Sequence, residues 1–447
     1  MKNFLIILKQ LLIIHYSLLI FTSCSIQKQI SKSAQTILKE PALATAHVGI
    51  SIYEPDANKY WFNYQGDHYF VPASNIKIPT CYAAMKYLGD SLVGILKTEN
   101  DTAVFFLPGG DPTLLHPDFI RQPVINYLRR ANKTIYTSDI KWKEEALGSG
   151  WAWNDYNDDY MAERSPLPIY GNVIKWIQEA GSDEPLVYSI PEVNWKVDFD
   201  TVKAKFFFVE RALNENIYKI TEGNEKLKEQ YVPFVTHGII TALELLSDTI
   251  HKAINLVAPQ IFQRNFMGGT AQVSFIYSQH TDSVLKPMMH RSDNFFAEQS
   301  LLMVSNKLLG VMSDQKIIDT LLKTDLKDLP QKPIWVDGSG LSRYNLFSPQ
   351  DFVFTLNKMK YDFGMQRVKN IFPTGNEGTL NGYYLRESGY IFAKTGSLSG
   401  VVSISGFLYT RKNKLLIFSI LVNNHNGSAT DIRRAVERFI ETIRNHY

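Results

Sequence analysis

Three short groups of residues in this chain could together turn a hydroxyl into a nucleophile. They are Ser74-Asn75-Ile76-Lys77, Ser292-Asp293-Asn294 and Lys394-Thr395-Gly396. A serine hydroxyl is a weak nucleophile and needs an adjacent base. A lysine three residues on shares the helical face, so the Lys77 amine can meet Ser74. That amine is a base only when neutral. At the ordinary lysine pKa of about 10.4, roughly one in 2,500 is neutral at pH 7. Burial and a second cation lower that pKa, and Lys394 could supply the cation. Ser292 could pass the proton to a leaving amine. Asn294 offers a donor and an acceptor to a substrate amide. Lys394 with the Thr395 hydroxyl makes a seat for a carboxylate, and Gly396 lets a substrate backbone lie close to the strand. Backbone N–H groups of Ser74 and Ser397 would form an oxyanion hole.

Singly, each group is weak. Ser-x-x-Lys also occurs at Ser25/Lys28, Ser138/Lys141, Ser283/Lys286 and Ser313/Lys316. Ser292 could simply cap a helix, and Lys394-Thr395-Gly396 could be a plain strand end. Ser-x-Asn and Lys-Thr-Gly, however, each occur once. The three stand in the order expected of a serine acyl-transfer site, the first two opening helices and the third ending a strand.

With these groups in place, the chain resembles the class C low-molecular-mass penicillin-binding proteins, the D-alanyl-D-alanine carboxypeptidases/endopeptidases. The resemblance extends over Phe70-Val71-Pro72-Ala73-Ser74, Gly109-Gly110-Asp111-Pro112-Thr113-Leu114 and Gly150-Trp151-Ala152-Trp153-Asn154-Asp155. It continues through His290-Arg291-Ser292-Asp293-Asn294, Asp337-Gly338-Ser339-Gly340-Leu341-Ser342-Arg343 and Glu377-Gly378-Thr379-Leu380. It covers nearly all of the mature chain, and the Asp-Gly-Ser-Gly-Leu-Ser run is the most specific part.

The resemblance implies an α+β, penicillin-recognising serine transpeptidase-like domain. This would be an antiparallel sheet flanked by helices, with a helical subdomain and a long, mainly β insertion. The catalytic domain is expected at residues 24–89 and 269–447, and the insertion at 90–268. Implied roles are acylation of Ser74, with Lys77 and Ser292 also catalytic. Asn294, Lys394, Thr395, Gly396 and Ser397 would bind substrate. Trp151–Tyr160, including Asp155, matches a segment that leans toward the active site. The implied substrates are peptidoglycan stem peptides and β-lactams, with neither cofactor nor metal. Pro79, inside the first helix, departs from the family pattern, as does Asn154 beside Asp155. Rival readings are a β-lactamase or esterase with the same nucleophile, and a non-catalytic peptidoglycan-binding lipoprotein. Glu210-Arg211-Ala212-Leu213-Asn214 has the form of the class A β-lactamase deacylation motif. It precedes Ser292 instead of following it, and is expected to be an exposed helical turn.

The elements that must position these residues can be read from patterning. Alternation predicts strands at Ala46–Tyr53 and Tyr60–Val71, then a helix at Ser74–Leu88. Short strands are expected at Thr102–Leu107, Thr134–Ile140, Leu186–Ile190, Ala204–Val209 and Ile217–Thr221, with a helix at Ile239–Ile254. The last third predicts a helix at Asn294–Leu309 and strands at Tyr390–Lys394, Val401–Tyr409 and Leu415–Val422. A final helix carries one apolar stripe: Ile432, Ala435, Val436, Phe439, Ile440 and Ile443.

The 447 residues are 45% hydrophobic and 20% charged, enough for two or three domains with real cores. Forty-seven Lys and Arg against 44 Asp and Glu argue against a nucleic-acid binder. Met1–Ser23 is basic, then apolar, and ends in small residues before Cys24. It resembles a lipoprotein-type signal, departing at Phe21 where that pattern prefers Leu, with Cys24 the lipidated first residue and the enzyme held on the periplasmic side of a bacterial envelope by its lipid alone; the other reading is an ordinary secretory signal with an incidental Cys. Cys81 would then be a small buried hydrophobe.

Overall fold

The computed structural model describes residues 30–181, 186–267 and 272–446. The expected signal segment and Cys24 lie outside the described residues. The chain divides into two units. One holds residues 30–78, 329–334 and 345–446, and the other holds the described parts of 79–328 with 335–344.

The first unit is built on a five-stranded antiparallel sheet. Its spatial order is Ile391–Leu398, Val401–Tyr409, Leu415–Asn423, His47–Glu54 and Lys59–Tyr64. The helix Ala429–His446 lays its whole predicted stripe into a core with Ile50, Ile404, Phe418 and Ile420. The helix Pro349–Ile371 opens with a capping box between Ser348 and Asp351 and with Pro349 in its first turn. It packs on the strands Leu415–Asn423 and His47–Glu54.

Three expectations in this unit need correction. The strand predicted at Tyr390–Lys394 runs from Ile391 to Leu398. Thr-Gly-Ser reads as punctuation, yet Thr395, Gly396 and Ser397 pair with Ile404, Ser403 and Val402. The reversal comes only at Gly400, whose φ is +74°. Lys394-Thr395-Gly396 is therefore mid-strand. The strand predicted at Tyr60–Val71 stops at Tyr64, because Gln65 turns left-handed at φ +45°. The helix predicted at Ser74–Leu88 enters through a 3-10 turn, Ala73–Ile76, and is α-helical over Lys77–Tyr87. Pro79 falls in the first α turn, where backbone N–H groups lack intrahelical partners anyway, so it breaks nothing.

The second unit has a five-stranded mixed sheet in the order Ile254–Leu256, Thr134–Thr137, Ala103–Pro108, Ser91–Glu99 and Ser274–His280. Two three-stranded sheets accompany it among the described residues. Helices follow at Thr281–His290, Asn294–Leu309 and Asp314–Lys323. Asn294–Leu309 has the predicted bounds. Asp293, not Ser292, caps it by accepting from the Phe296 N–H at 3.0 Å, and Gly310 ends it at φ +72°. The helix predicted at Ile239–Ile254 stops at Ile250, because His251 is left-handed and Ile254 enters a strand. The strand predicted at Ala204–Val209 forms at Phe208–Arg211. Glu210 and Arg211 end that strand and are not a helical turn. Arg211 is buried because its guanidinium donates to the carbonyls of Pro233, Ala212 and Leu213.

A buried charge cluster organises the helices of this unit. Arg164 is 1% exposed and pairs with Asp314 at 2.5 Å, Glu144 at 3.4 Å and Glu298 at 3.6 Å. Glu298 also accepts from the Ser339 N–H at 2.7 Å. The Asp337–Ser342 run is thus a loop wedged on the Asn294–Leu309 helix. A Cβ on Gly338 would lie 2.8 Å from the Ala297 carbonyl. Asp337 folds the loop by accepting from the N–H groups of Gly340 and Ser342 and from the Trp151 indole at 3.0 Å. One guanidinium cannot neutralise so many carboxylates. Burial, and then the charge of Asp337, push Glu298 up to about 7.

A carboxyl with a raised folded pKa holds a proton that the unfolded chain releases above about 4.5. Stability should therefore fall as pH rises from about 4.5 to 7. In Glu298→Gln the acceptor for Ser339 remains and the charge is gone. Thermal melts across this interval should show a shallower decline in the variant; parallel slopes would exclude Glu298 as a source.

Candidate active site

In the first unit the Lys77 ammonium nitrogen donates to Ser74 Oγ at 3.1 Å. Lys77 is fully buried. Ser74 follows Ala73, whose φ of +48° is rare for a residue with a side chain. Such strain persists only where the surroundings hold it, and here the sheet does. Asn423 accepts from the Val71 N–H at 2.7 Å and donates to the Val71 carbonyl at 3.0 Å. Ser403 donates to the Pro72 carbonyl at 2.8 Å. Asn75 donates to Ser405, which donates in turn to Ser419, both at 2.8 Å. Four polar side chains of two adjacent strands thus fasten residues 71–75 over the sheet. Composition alone does not reveal them. The signal is periodic: Ser403 and Ser405 interrupt the apolar run Val401–Tyr409 at alternate positions.

Lys394 lies in the same dry region, fully buried, and donates to the Thr395 carbonyl at 2.6 Å. Burial drives its pKa well below the ordinary value, and the charge of Lys77 drives it further. The sequence reading expected the Lys77 amine to yield its proton beside a cationic Lys394. The like-charge effect acts on both members of the pair, and on Lys394 burial adds to it. Two amines this close titrate as a pair.

Gly396 also has a different reason from the one expected. A Cβ there would lie 2.8 Å from both the Pro72 carbonyl oxygen and the Ser74 nitrogen, and 2.4 Å from Ser403 Oγ. The backbone it admits is the chain's own Ser74 segment. Thr395 lines a small cavity with Thr379, Tyr384, Ile404 and Val436. The Ile391–Leu398 strand is a sheet edge. The Ala393 N–H points outward, to the Pro373 carbonyl, so alternation turns the N–H groups of Thr395 and Ser397 to that same edge. The Ser397 hydroxyl accepts from Arg433 at 2.8 Å.

In the second unit Ser292 takes φ +62°. Its neighbours hold that strain. Asp293 caps the following helix, and Arg291 pairs with Asp118 at 2.6 Å and Asp293 at 3.4 Å. Asn294 donates to the Tyr160 carbonyl at 2.9 Å. The Trp151–Tyr160 stretch is not a loose loop, having 3-10 turns at Trp153–Asp155 and Asp159–Met161. Burial, then hydrogen bonding to Asp155 and Asp158, raises the pKa of the Tyr160 phenol. Asp155 is thereby set beside the residue that holds Asn294. Cys81 is buried. Among the described residues no cluster of His, Cys, Asp and Glu could hold a metal, and no helix is long and apolar enough to cross a membrane.

The fold is that of the penicillin-recognising serine enzymes. It matches the crystal structure of penicillin binding protein 4 (dacB) from Haemophilus influenzae with a TM-score of 0.72 at 18% identity, over 93% of this chain and 99% of that one. The sequence pattern of the D-Ala-D-Ala carboxypeptidase 3 (S13) family matches residues 30–443, and the chain belongs to that family. It is 21% identical to the D-alanyl-D-alanine carboxypeptidase DacB of Haemophilus influenzae, over 90% of both chains. It is 23% identical to the D-alanyl-D-alanine carboxypeptidase of Actinomadura sp., over 90% of this chain and 82% of that one.

Gly396→Ala should force the strand and the Ser74 segment apart. Acylation by a labelled penicillin should drop steeply, while the melting temperature moves less than in a core truncation. Wild-type acylation would mean that the close approach is unnecessary.

Proposed function

We propose that this protein is a serine D-Ala-D-Ala carboxypeptidase/endopeptidase that cuts peptidoglycan stem peptides after D-Ala through an acyl-enzyme on Ser74. The observation that carries this reading is the 3.1 Å contact of Lys77 with Ser74 in a pocket that also buries Lys394. Ser74 Oγ attacks the D-Ala carbonyl and its proton passes to Lys77. The backbone N–H groups of Ser74 and Ser397 take the charge that develops on oxygen. The C–N bond then breaks, and the leaving amine receives its proton by way of the Ser292 hydroxyl. Water releases the acyl group by the reverse path. Asn294 binds the substrate amide, and Asp155 contacts the stem peptide.

The carboxylate of the substrate sits on Lys394 and Thr395. Its arrival gives Lys394 a counter-charge and so draws a proton onto that amine. A charged Lys394 in turn favours a neutral Lys77. Substrate binding thus produces the base. The slow step for a penicilloyl ester follows from what is missing: Glu210, the one residue in a deacylation-like motif, is exposed at a strand end. The same reading places the enzyme on the periplasmic side of the envelope, anchored through a lipid on Cys24. It also takes residues 90–268 as a module inserted into a catalytic domain of 24–89 and 269–447.

Ser74→Ala removes one hydroxyl and should melt like the wild type, yet carry no adduct when incubated with a labelled penicillin and mapped by mass spectrometry. An adduct on another serine would sink the assignment.

The pH dependence of acylation tests the amine pair. Each amine lowers the other's pKa, so the rising limb of the rate should lie below the ordinary lysine range. Removing one cation lets the other recover, so in Lys394→Ala the limb should move to higher pH. A limb that stays in place would mean that Lys394 does not tune Lys77.

A further inference from the structure

The helix Ala429–His446 carries four arginines. Three of them bind carboxylates: Arg434 pairs with Glu437 at 2.6 Å, Arg438 with Glu40 at 2.8 Å and Arg444 with Glu387 at 3.9 Å. Arg433 does not. Glu437, one turn further on, is held by Arg434 and by the Tyr384 N–H. Asp431, two residues back, lies on another face of the helix. Among the described residues the polar partner of Arg433 is the Ser397 hydroxyl, which accepts from its Nη2 at 2.8 Å. Arg433 itself is half-buried. Its place is fixed, because Ile432 and Val436 of the same helix are buried in one core with Val402 and Ile404.

That contact sets a cation beside the part of the strand Ile391–Leu398 that takes the substrate carboxylate. Ile391, Ala393, Thr395 and Ser397 share one strand face, and the first two enter the core that the helix covers. Thr395 and Ser397 continue this face, about 7 Å apart. Thr395 and Arg433 line the same small cavity of about 30 Å³. Lys394 alternates to the opposite face, where the charge of Lys77 reaches it. A carboxylate at the strand edge therefore lies between two cations of different kinds. The Lys394 amine is buried and its pKa is lowered, so an arriving anion can meet it neutral. The guanidinium keeps its charge at every working pH and has five N–H donors, of which Ser397 takes one.

We propose that Arg433 is a specificity-determining residue: its guanidinium takes the carboxylate of the leaving residue together with the Thr395 hydroxyl, and so selects substrates in which that carboxylate is free. This deepens the reading of the enzyme as a D-Ala-D-Ala peptidase and rests on it. The carboxylate is free in both reactions that this reading allows, on the terminal D-Ala and on the D-centre of a crosslinking diamino acid. The fixed charge of Arg433 holds the anion before Lys394 has gained a proton, and the held anion then favours that proton on Lys394. A crosslink whose diamino acid is amidated at this centre lacks the anion and is a poor substrate.

The test compares the full protein with its Arg433→Gln and Arg433→Lys variants on two N-acylated peptides. One ends in D-Ala-D-Ala with a free carboxylate, and the other is its C-terminal carboxamide. The quantity read is the ratio of the two kcat/KM values. Arg433→Gln should lower this ratio roughly tenfold, the loss expected for one charge-assisted contact. Arg433→Lys keeps the charge without the planar fork and should recover part of the loss. Both variants should melt like the wild type, because the altered group is only half-buried. A penicillin and its methyl ester give the same ratio from rates of acylation at Ser74. An unchanged ratio in Arg433→Gln would overturn the proposal. So would an equal loss on both members of each pair, the mark of a merely structural role. Labelling of Ser74 by penicillin with neither peptide cut would end the peptidase reading alone, because the acylation ratio still reads Arg433.

Discussion

Two amines buried in one pocket are the constraint on which the catalytic half of the structure depends. Lys77 and Lys394 are both fully buried. Two charged ammonium groups in a dry site would repel each other and would also lose their hydration. Burial and the charge of Lys77 therefore push the Lys394 amine toward its neutral form. The fold therefore spends stability to hold an amine in a state that water would not allow. That expense is possible because the surroundings are rigid. The sheet under the pocket is fastened to an apolar helix through a continuous core. The Ser74 segment is fastened to the sheet through Asn423, Ser403 and Ser405.

Strain is stored in the same way in both units. Ala73 and Ser292 each take a left-handed backbone beside a residue of chemical interest. Each is held from both sides, Ala73 by bonds to Pro72 and Asn75, Ser292 by the ion pairs of Arg291 and the cap of Asp293. Neither conformation would survive in an isolated peptide.

Some of this is legible in the sequence, for physical reasons. Ser74 and Lys77 can be paired because a helical turn fixes which residues meet. The helix Asn294–Leu309 can be bounded because Asp293 and Gly310 are strong end signals. The C-terminal helix is plain from its stripe, which needs only periodicity. Local rules fail where tertiary pairing decides. The extent of the Lys394 strand depends on partners in Val401–Tyr409, so turn-like residues hid it. The burial of both amines in one region depends on the folded sheet, which no spacing encodes. The place of Gly396 against Ser74 joins residues more than 300 positions apart. The glutamate at 210 misled for a similar reason: pairing with Tyr218–Thr221 and the bond from Arg211 to the Pro233 carbonyl made a strand end of what looked helical.

The strand His47–Glu54, the first of the described strands, lies between its hairpin partner and Leu415–Asn423, the last of them. This contact has a consequence in time. The sheet that holds Ser74 cannot close until the final strands have emerged and the terminal helix has docked. Contacts of such sequence separation cost loop-closure entropy before they return any stability, and they slow folding. A partly synthesised chain therefore contains Ser74 and Lys77 without the sheet that buries their surroundings. The surroundings of Ser74 are complete only with the last strand and helix in place.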